Sequence, residues 1–388
     1  MTAGNIAHRT GRYIQQDHYR AFIPTTLPFS PPLQYDDELV DLLSKADQAM
    51  GRLDAAADML PNPDLFVQMY IRKEALLSSK IEGVTQASLS EVVEQEARRS
   101  NRMLPPDVAE VLNYVRAMNY GLEQLTNLPL SNRLMRDIHA HLLENVRGGE
   151  KSPGEWRRTQ NWIGPANSDL NTAVFVPPPV FEMDLAMADL ERYLHDPSPA
   201  PILIKAGLAH YQFETIHPFL DGNGRMGRLL VVFYLCERKV LTRPLLYLSA
   251  YVNVHKEEYY DRLQAARDNG DLENWIRFFL TAIWKVAQAA AKTAHDILEL
   301  RETYRARITK EVSNSLIGIR FLDALLASPV IWVSKAADLL GVSFPTANSL
   351  VHAFSTLGIL REVTGQSRNR LFVFSDYLDL MERGLDIT

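Results

Sequence analysis

Apolar residues return at three- and four-residue spacing over 39–53, 63–81 and 106–125, which lays them along one face of a helix. The same period continues through 131–146 and 201–216. Between those two stretches, 154–179 breaks it with Trp, Asn, Gly and the run Pro177-Pro178-Pro179, and so predicts a long loop with a short hairpin at Ala173-Val174-Phe175-Val176. Loops of that length inside a compact domain are functional or disordered, and the aromatic and β-branched content here argues for function. Helical spacing resumes after Arg225 and runs to about residue 300. The first thirty-odd residues, ending in the proline-containing stretch 24–32, have little period to bury and predict an extended arm laid over the body.

The C-terminal part changes character. Residues 334–340 and 345–357 predict two helices joined by Gly341-Val342-Ser343, and 360–374 alternates as a two-stranded wing would around Gly365. The charged stretch 298–311 predicts a connecting helix. The expected fold is therefore all-α, a mainly helical core with one small β-hairpin, plus a C-terminal winged helix-turn-helix domain. The expected division is 1–105, 106–300 and 301–388.

Composition narrows the picture little. Of 388 residues 46% are hydrophobic and 23% charged, which fits an ordinary globular chain. The formal net charge of −6 supplies no global field toward nucleic acid or an anionic membrane. No stretch reaches the roughly 18 apolar residues of a membrane span, and no apolar core of signal-peptide length opens the chain. The expected location is the cytoplasm. Cys236, the single cysteine, falls in an apolar helical run and is expected to be a small buried hydrophobe.

The chemistry concentrates in His217-Pro218-Phe219-Leu220-Asp221-Gly222-Asn223-Gly224-Arg225-Met226-Gly227-Arg228, between one amphipathic helix and the start of a very apolar one. Gly222 and Gly224 let the backbone turn its N–H groups toward a ligand, and the following helix adds its unsatisfied N-terminal donors, which makes an anion site. Asp221 beside that site needs a cation between itself and any phosphate, and Mg²⁺ binds in this way through one or two carboxylates plus phosphate oxygens. Arg225 and Arg228, three apart on the first turn, are expected to face the same anion. His217 has the pKa range to take a proton from an incoming hydroxyl. A base, a metal carboxylate, an anion hole and cationic clamps together describe phosphoryl-type transfer. His210 lies outside this set and is expected to be structural.

With those residues in view, the chain resembles the Fic (Fido) family of protein adenylyltransferases, whose signature is a His, a Phe, an acidic residue, Gly-Asn-Gly-Arg and a second Arg three residues on; His217, Phe219, Asp221, Gly222-Asn223-Gly224-Arg225 and Arg228 match it. The resemblance implies transfer of AMP from ATP to Ser, Thr or Tyr hydroxyls of target proteins and of the protein itself. His217 would be the general base and Asp221 the magnesium ligand. Gly222, Asn223 and Gly224 would hold the α- and β-phosphates and Arg228 the γ-phosphate, with Arg225, Met226 and Gly227 completing the ATP-binding stretch. The intact Gly222-Asn223-Gly224 favours AMP over phosphate transfer.

A second signature lies upstream, where Ser78, Glu82 and Gly83 match the family's inhibitory pattern of Ser or Thr, three residues, then Glu-Gly or Glu-Asn. Ser78 and Glu82 are i,i+4 on one helical face, and Gly83 is placed to cap the helix. By resemblance Glu82 would pair with Arg228 in the place of the γ-phosphate. Residues 154–164 and Val174, Phe175, Val176 and Pro177 resemble the family's flap, whose hairpin would register a target's backbone as an added strand. Tyr259 and Tyr260 resemble the aromatic pair near adenine, although some relatives carry Asn where this chain has Arg267. Relatives often pair through core or tail, which leaves a homodimer open.

Between Lys310 and Asp376 six basic residues (Lys310, Arg320, Lys335, Arg361, Arg368, Arg370) face five acidic ones (Glu311, Asp323, Asp338, Glu362, Asp376). Residues 344–354 carry no Arg or Lys, so protein contact or dimerisation is favoured over DNA binding. Two other functions remain open from the sequence: removal of AMP from a modified protein, with Glu82 activating water, and a DNA-binding regulator whose nucleotide site is a sensor.

Overall fold

The computed structural model describes residues 9–59, 63–98, 104–165, 167–366 and 368–383. Among these it has fifteen helices and two small antiparallel sheets. The order is β1 (Gly11–Gln15), β2 (Arg20–Pro24), α1 (Asp37–Asp58), α2 (Pro63–Ile81), α3 (Leu89–Ala97), α4 (Pro106–Gln124), α5 (Asn132–Leu142), α6 (Val180–Leu194), α7 (Ile202–Ile216) and α8 (Asn223–Glu237). It continues with α9 (Ser249–Val254), α10 (Lys256–Asn269), α11 (Leu272–Glu311), α12 (Ser315–Ala327), β3 (Val330–Trp332), α13 (Val333–Leu340), α14 (Phe344–Thr356), β4 (Arg361–Glu362), β5 (Leu371–Val373) and α15 (Ser375–Arg383).

Two helices carry the centre. α7 is buried along almost its whole surface, as an apolar helix without a polar face must be. It pairs with α8, whose residues from Met226 to Leu235 are likewise buried. Around this pair stand α4, α5, α6 and α11. Small residues allow the close approaches: a Cβ at Gly121 on α4 would lie 2.4 Å from the Phe233 ring of α8, and one at Gly207 on α7 would lie 2.8 Å from Phe279 of α11. The forty-residue α11 packs along α1 and runs unbroken through residue 300, so the boundary expected there falls within a helix.

Most periodic stretches became helices close to where they were expected, and three features did not. The N-terminal arm, of which residues 1–8 lie outside the described residues, forms a β-hairpin, with Tyr13 opposite Phe22 and Ala21 and Phe22 wholly buried. Two five-residue strands beside prolines give too little alternation to read from sequence. The hairpin expected at 173–176 is a single bridge, in which Ile163 and Phe175 exchange both main-chain hydrogen bonds at 2.8 and 3.1 Å. The intervening loop, held by Asp169 and Thr172 bonds, is too long to keep two strands in register. Where two strands were expected over 360–374, β4 and β5 form a sheet with β3 as a third strand, in the order β3-β5-β4.

The C-terminal helices and sheet do not stand apart from the core. α12 packs on α2, and the Trp332 indole donates to the Ala97 carbonyl at the end of α3. No helix among the described residues is long and apolar enough to cross a membrane. Gly121→Val is expected to destabilise the fold by about 1–3 kcal/mol through overpacking against Phe233, measured by urea denaturation.

Candidate active site

α7 ends at His217, which sits in the left-handed region at φ 50°, and Pro218 prevents the helix from continuing. The chain then turns through Phe219 to Asp221 and enters α8 at Gly222, φ 78°, a conformation that suits glycine. The turn is fixed by side chains. Asn223 closes on Phe219, donating to its carbonyl at 2.8 Å and accepting from its N–H at 2.9 Å. Asn161 donates to the carbonyls of both His217 and Phe219. The Phe219 ring lies flat on the His139 imidazole, with centroids 3.6 Å apart.

The start of α8 presents main-chain donors at the position where the sequence reading expects an anion. Gly222 provides no side-chain cap, and the first main-chain bond of the helix is Met226 N–H to Gly222 O. Among the described residues the N–H groups of Asn223, Gly224 and Arg225 have no main-chain partner. Asp221 stands beside them, its Oδ1 accepting the Gly222 N–H at 2.6 Å. No group of three or more His, Cys, Asp or Glu among the described residues could hold a metal by itself.

The two arginines do not converge on one ligand. Arg225 is directed to Glu110 of α4 at 2.8 Å, with Asp221 at 3.4 Å, and both Arg225 and Glu110 are buried. Arg228 turns the other way. Its Nε donates to Ser78 Oγ at 2.8 Å, and its Nη2 donates to the Ser78 carbonyl at 3.0 Å and to Glu82 Oε1 at 2.8 Å. The Arg228 side chain is 1% exposed and that of Glu82 is 29% exposed.

Glu82 holds a further position. A Cβ on Gly224 would lie 2.2 Å from Glu82 Oε1, so the carboxylate rests against the start of α8. α2 ends in Gly83 at φ 67°, with Val84 N–H returning to the Ser79 carbonyl, and this places Glu82 past the last helical turn. A carboxylate at the C-terminus of its own helix is electrostatically disfavoured, and one at the N-terminus of another is favoured. Burial would raise the Glu82 carboxyl, but the Arg228 guanidinium, with Arg225 behind it, holds it below the usual range.

His217 is half-buried. Burial, together with the cations Arg267 and Arg157, pushes its pKa down to about 3, so the imidazole is neutral near pH 7. Its Nδ1 is buried and, among the described residues, has no hydrogen-bond partner. Arg157 connects this turn to the long loop: its Nε donates to the His217 carbonyl at 3.0 Å, its Nη2 to the Pro178 carbonyl, and its N–H to the Pro218 carbonyl at 2.8 Å.

Other residues singled out from the sequence take different places. Met226 is wholly buried, and Gly227 packs against the Glu214 carboxylate and His210. His210 is structural, as expected: Nδ1 meets the Gly227 carbonyl, so the Tyr259 hydroxyl donates to Nε2 at 2.8 Å. Tyr259 is buried and Tyr260 is exposed at its side, the ring centroids 5.2 Å apart. Phe175 and Val176 are buried and Val174 is 63% exposed. Burial pushes the Cys236 thiol up to about 12.

Several residues at the site have no individual role in the sequence reading. Glu110 lies 115 positions from Arg225 and has no local mark. His139 accepts the Gly154 N–H at Nδ1, which leaves Nε2 to donate to the Asp221 carbonyl at 2.9 Å. Arg267 donates to the Glu214 carbonyl and Thr215 hydroxyl and lies 3.9 Å from the Phe175 ring centroid. Arg157 and Asn161 stand in the loop whose aromatic content already marked it as functional.

Residues 129–235 match the Fic/DOC family model and residues 40–123 match the model of the Fic/DOC family N-terminal region. The chain carries a Fic domain preceded by a Fic/DOC family N-terminal region. It is 31% identical over 179 residues to the protein adenylyltransferase Fic of Culex quinquefasciatus, covering 44% of this chain and 31% of that one. It is 27% identical over 249 residues to the protein of the same name from Drosophila grimshawi, covering 62% and 45%. The chain thus spans less than half the length of these curated relatives. A Fic family protein from Desulfovibrio desulfuricans G20 has a similar fold, with TM-score 0.58 and 20% identity over 88% of this chain and 97% of that chain.

Glu110→Ala is expected to cost roughly 3–5 kcal/mol, because it leaves the buried Arg225 guanidinium without its anion, and the loss is to be read from chemical denaturation.

Proposed function

We propose that this protein transfers AMP from ATP-Mg to a hydroxyl of a target protein, and that Glu82 restrains the transfer. The observation that carries the proposal is the position of the Glu82 carboxylate, which pairs with Arg228 and rests on Gly224 at the uncapped start of α8. An anion already fills the anion site.

The residues fit ATP and magnesium on two counts. Three free N–H groups at the start of α8 suit phosphate oxygens. Asp221 beside them is a single carboxylate, which suits a magnesium ion completed by phosphate oxygens. When bound, the metal would neutralise phosphate charge. Arg228, once released by Glu82, would meet the terminal phosphate.

His217 performs the proton step in this reading. Its imidazole is neutral, and with Nδ1 buried, Nε2 is the nitrogen that can meet a hydroxyl. It takes the proton as the hydroxyl oxygen forms a bond to the α-phosphorus, the bond to the β-phosphate oxygen breaks, and pyrophosphate leaves. Arg225, tied to Glu110 and Asp221, orients the loop and does not clamp a phosphate. Tyr260 is the more accessible of the two tyrosines expected near adenine. Residues 301–388 are proposed as a winged-helix unit that contacts protein, since the recognition-helix position carries no Arg or Lys.

Incorporation of α-phosphate-labelled ATP tests the proposal. Glu82→Gly is expected to raise labelling at least tenfold, and adding His217→Ala to abolish it. Equal labelling by wild type and Glu82→Gly would remove the inhibitory role, and no label in either would remove the transfer reading. The pH dependence follows from His217. Its pKa is lowered in the fold, so the neutral base persists as pH falls below the ordinary value near 6.5, toward about 3. The acid limb of kcat/KM for Glu82→Gly is therefore expected below pH 5, and a limb centred near 6.5 would contradict it.

A further inference from the structure

Glu214 stands on α7 three residues before His217, buried to 5% exposure. Its carboxyl lies against α8, where a Cβ on Gly227 would come 2.3 Å from Glu214 Oε1 and 3.3 Å from the His210 ring. Gly224 and Gly227 are three positions apart on one face of α8. Two carboxyls therefore rest on the same helix face, Glu82 over Gly224 and Glu214 over Gly227. Among the described residues Glu214 Oε1 is buried and has no hydrogen-bond partner.

The donors around this carboxyl are committed elsewhere. His210 donates from Nδ1 to the Gly227 carbonyl, and the Tyr259 hydroxyl donates to His210 Nε2. Arg267 directs Nε to the Thr215 hydroxyl, Nη1 to Gln264 and Nη2 to the Glu214 main-chain carbonyl. Arg228 directs Nε and Nη2 to Ser78 and Glu82. Burial pushes the Glu214 carboxyl up to about 7, while Arg228 and Arg267 favour its charged form and Glu82 opposes it. An acceptor left unpaired in the interior costs free energy, and a ligand that brings a donor recovers it.

The neighbours of Glu214 select the part of the nucleotide. The carboxyl feels the Arg228 guanidinium of α8 and acts on the hydroxyls of Tyr259 and Tyr260 of α10. In ATP the ribose joins the base to the phosphates, so a side chain that neighbours both the tyrosines assigned to adenine and the arginine assigned to the terminal phosphate faces the sugar. We infer that Glu214 accepts a hydrogen bond from a ribose hydroxyl and thereby makes the site prefer ribonucleotides to their deoxy forms. An ionised carboxylate only accepts, and the sugar's two hydroxyls both donate. Departure of Glu82 removes the negative charge beside Glu214, which favours the ionised, stronger acceptor. The inference rests on the proposed transfer reading for the identity of the ligand as ATP.

The test separates binding from turnover. Kd for ATP-Mg, 2′-deoxy-ATP-Mg and 3′-deoxy-ATP-Mg is measured by calorimetry on the full-length protein carrying Glu82→Gly and His217→Ala, with Glu214 intact or changed to Met or Gln. With Glu214 intact, at least one deoxy form is expected to bind about tenfold more weakly than ATP, the effect of one lost hydrogen bond to a charged group. Glu214→Met removes the acceptor at similar volume and is expected to weaken ATP about tenfold, but to change the affinity for the deoxy form lacking the contacted hydroxyl by less than about threefold. Glu214→Gln keeps one acceptor and is expected to stay within about threefold of the parent for ATP. Equal affinity for ATP and both deoxy forms with Glu214 intact, an equal loss for all three in Glu214→Met, or no nucleotide binding would each overturn the inference. The comparison on the Glu214-intact protein decides even if the Met variant fails to fold. Ribose discrimination that depends on Glu214, with no label transferred by Glu82→Gly alone, would instead sink the transfer reading and leave the sugar contact standing.

Discussion

The Arg228 guanidinium is a permanent positive charge with almost no contact with water, and it must be satisfied by groups of its own fold. Ser78 supplies a hydroxyl and a carbonyl, and Glu82 supplies the charge. Much of the N-terminal region follows from this requirement. α2 has to bring its last turn against the first turn of α8, and it has to stop at Gly83 so that Glu82 faces inward. On the other side of the same turn, Arg225 makes a matching demand that Glu110 of α4 meets. Two buried cations, each with its own carboxylate, thus join α2 and α4 to α8.

The two pairs have opposite characters. Glu110 is buried with its arginine, so that contact is structural and costly to break. Glu82 remains 29% exposed, so its carboxylate can leave for water while the arginine stays in place. An ion pair with one mobile, partly solvated partner is suited to exchange with a phosphate, and this is the physical basis of the proposed restraint. α12 packs directly on α2, and the Trp332 indole is bonded to the end of α3, so the C-terminal helices are in mechanical contact with the segment that would have to move.

Around His217 the chain uses main-chain carbonyls as anchors. Arg157 and Asn161 reach the turn from the long loop, and Arg267 reaches the end of α7 from α10 while covering Phe175. His217, the long loop and Phe175 are therefore held by shared cations, and burial together with those cations keeps the imidazole neutral. The hairpin at the N-terminus completes this wall through its bond to Val176.

Much was legible in the sequence because it is local. Helical spacing gives the long helices, the order His-Pro-Phe-Leu-Asp-Gly-Asn-Gly-Arg gives a helix end, a turn and a helix start, and Ser78 with Glu82 falls on one face by the helical repeat. What the sequence could not settle is where each long side chain points. Arg225 and Arg228 look equivalent three positions apart, yet α4 stands on one side of α8 and α2 on the other, and each arginine follows its own carboxylate. Met226 and Gly227 turned into the core for the same reason, and β1 and β2 became strands only because a buried site existed for Ala21 and Phe22. Periodicity and motif order are fixed by covalent neighbours; the partner of a buried charge is fixed by which distant element packing brings within about 3 Å, and only the tertiary structure decides that.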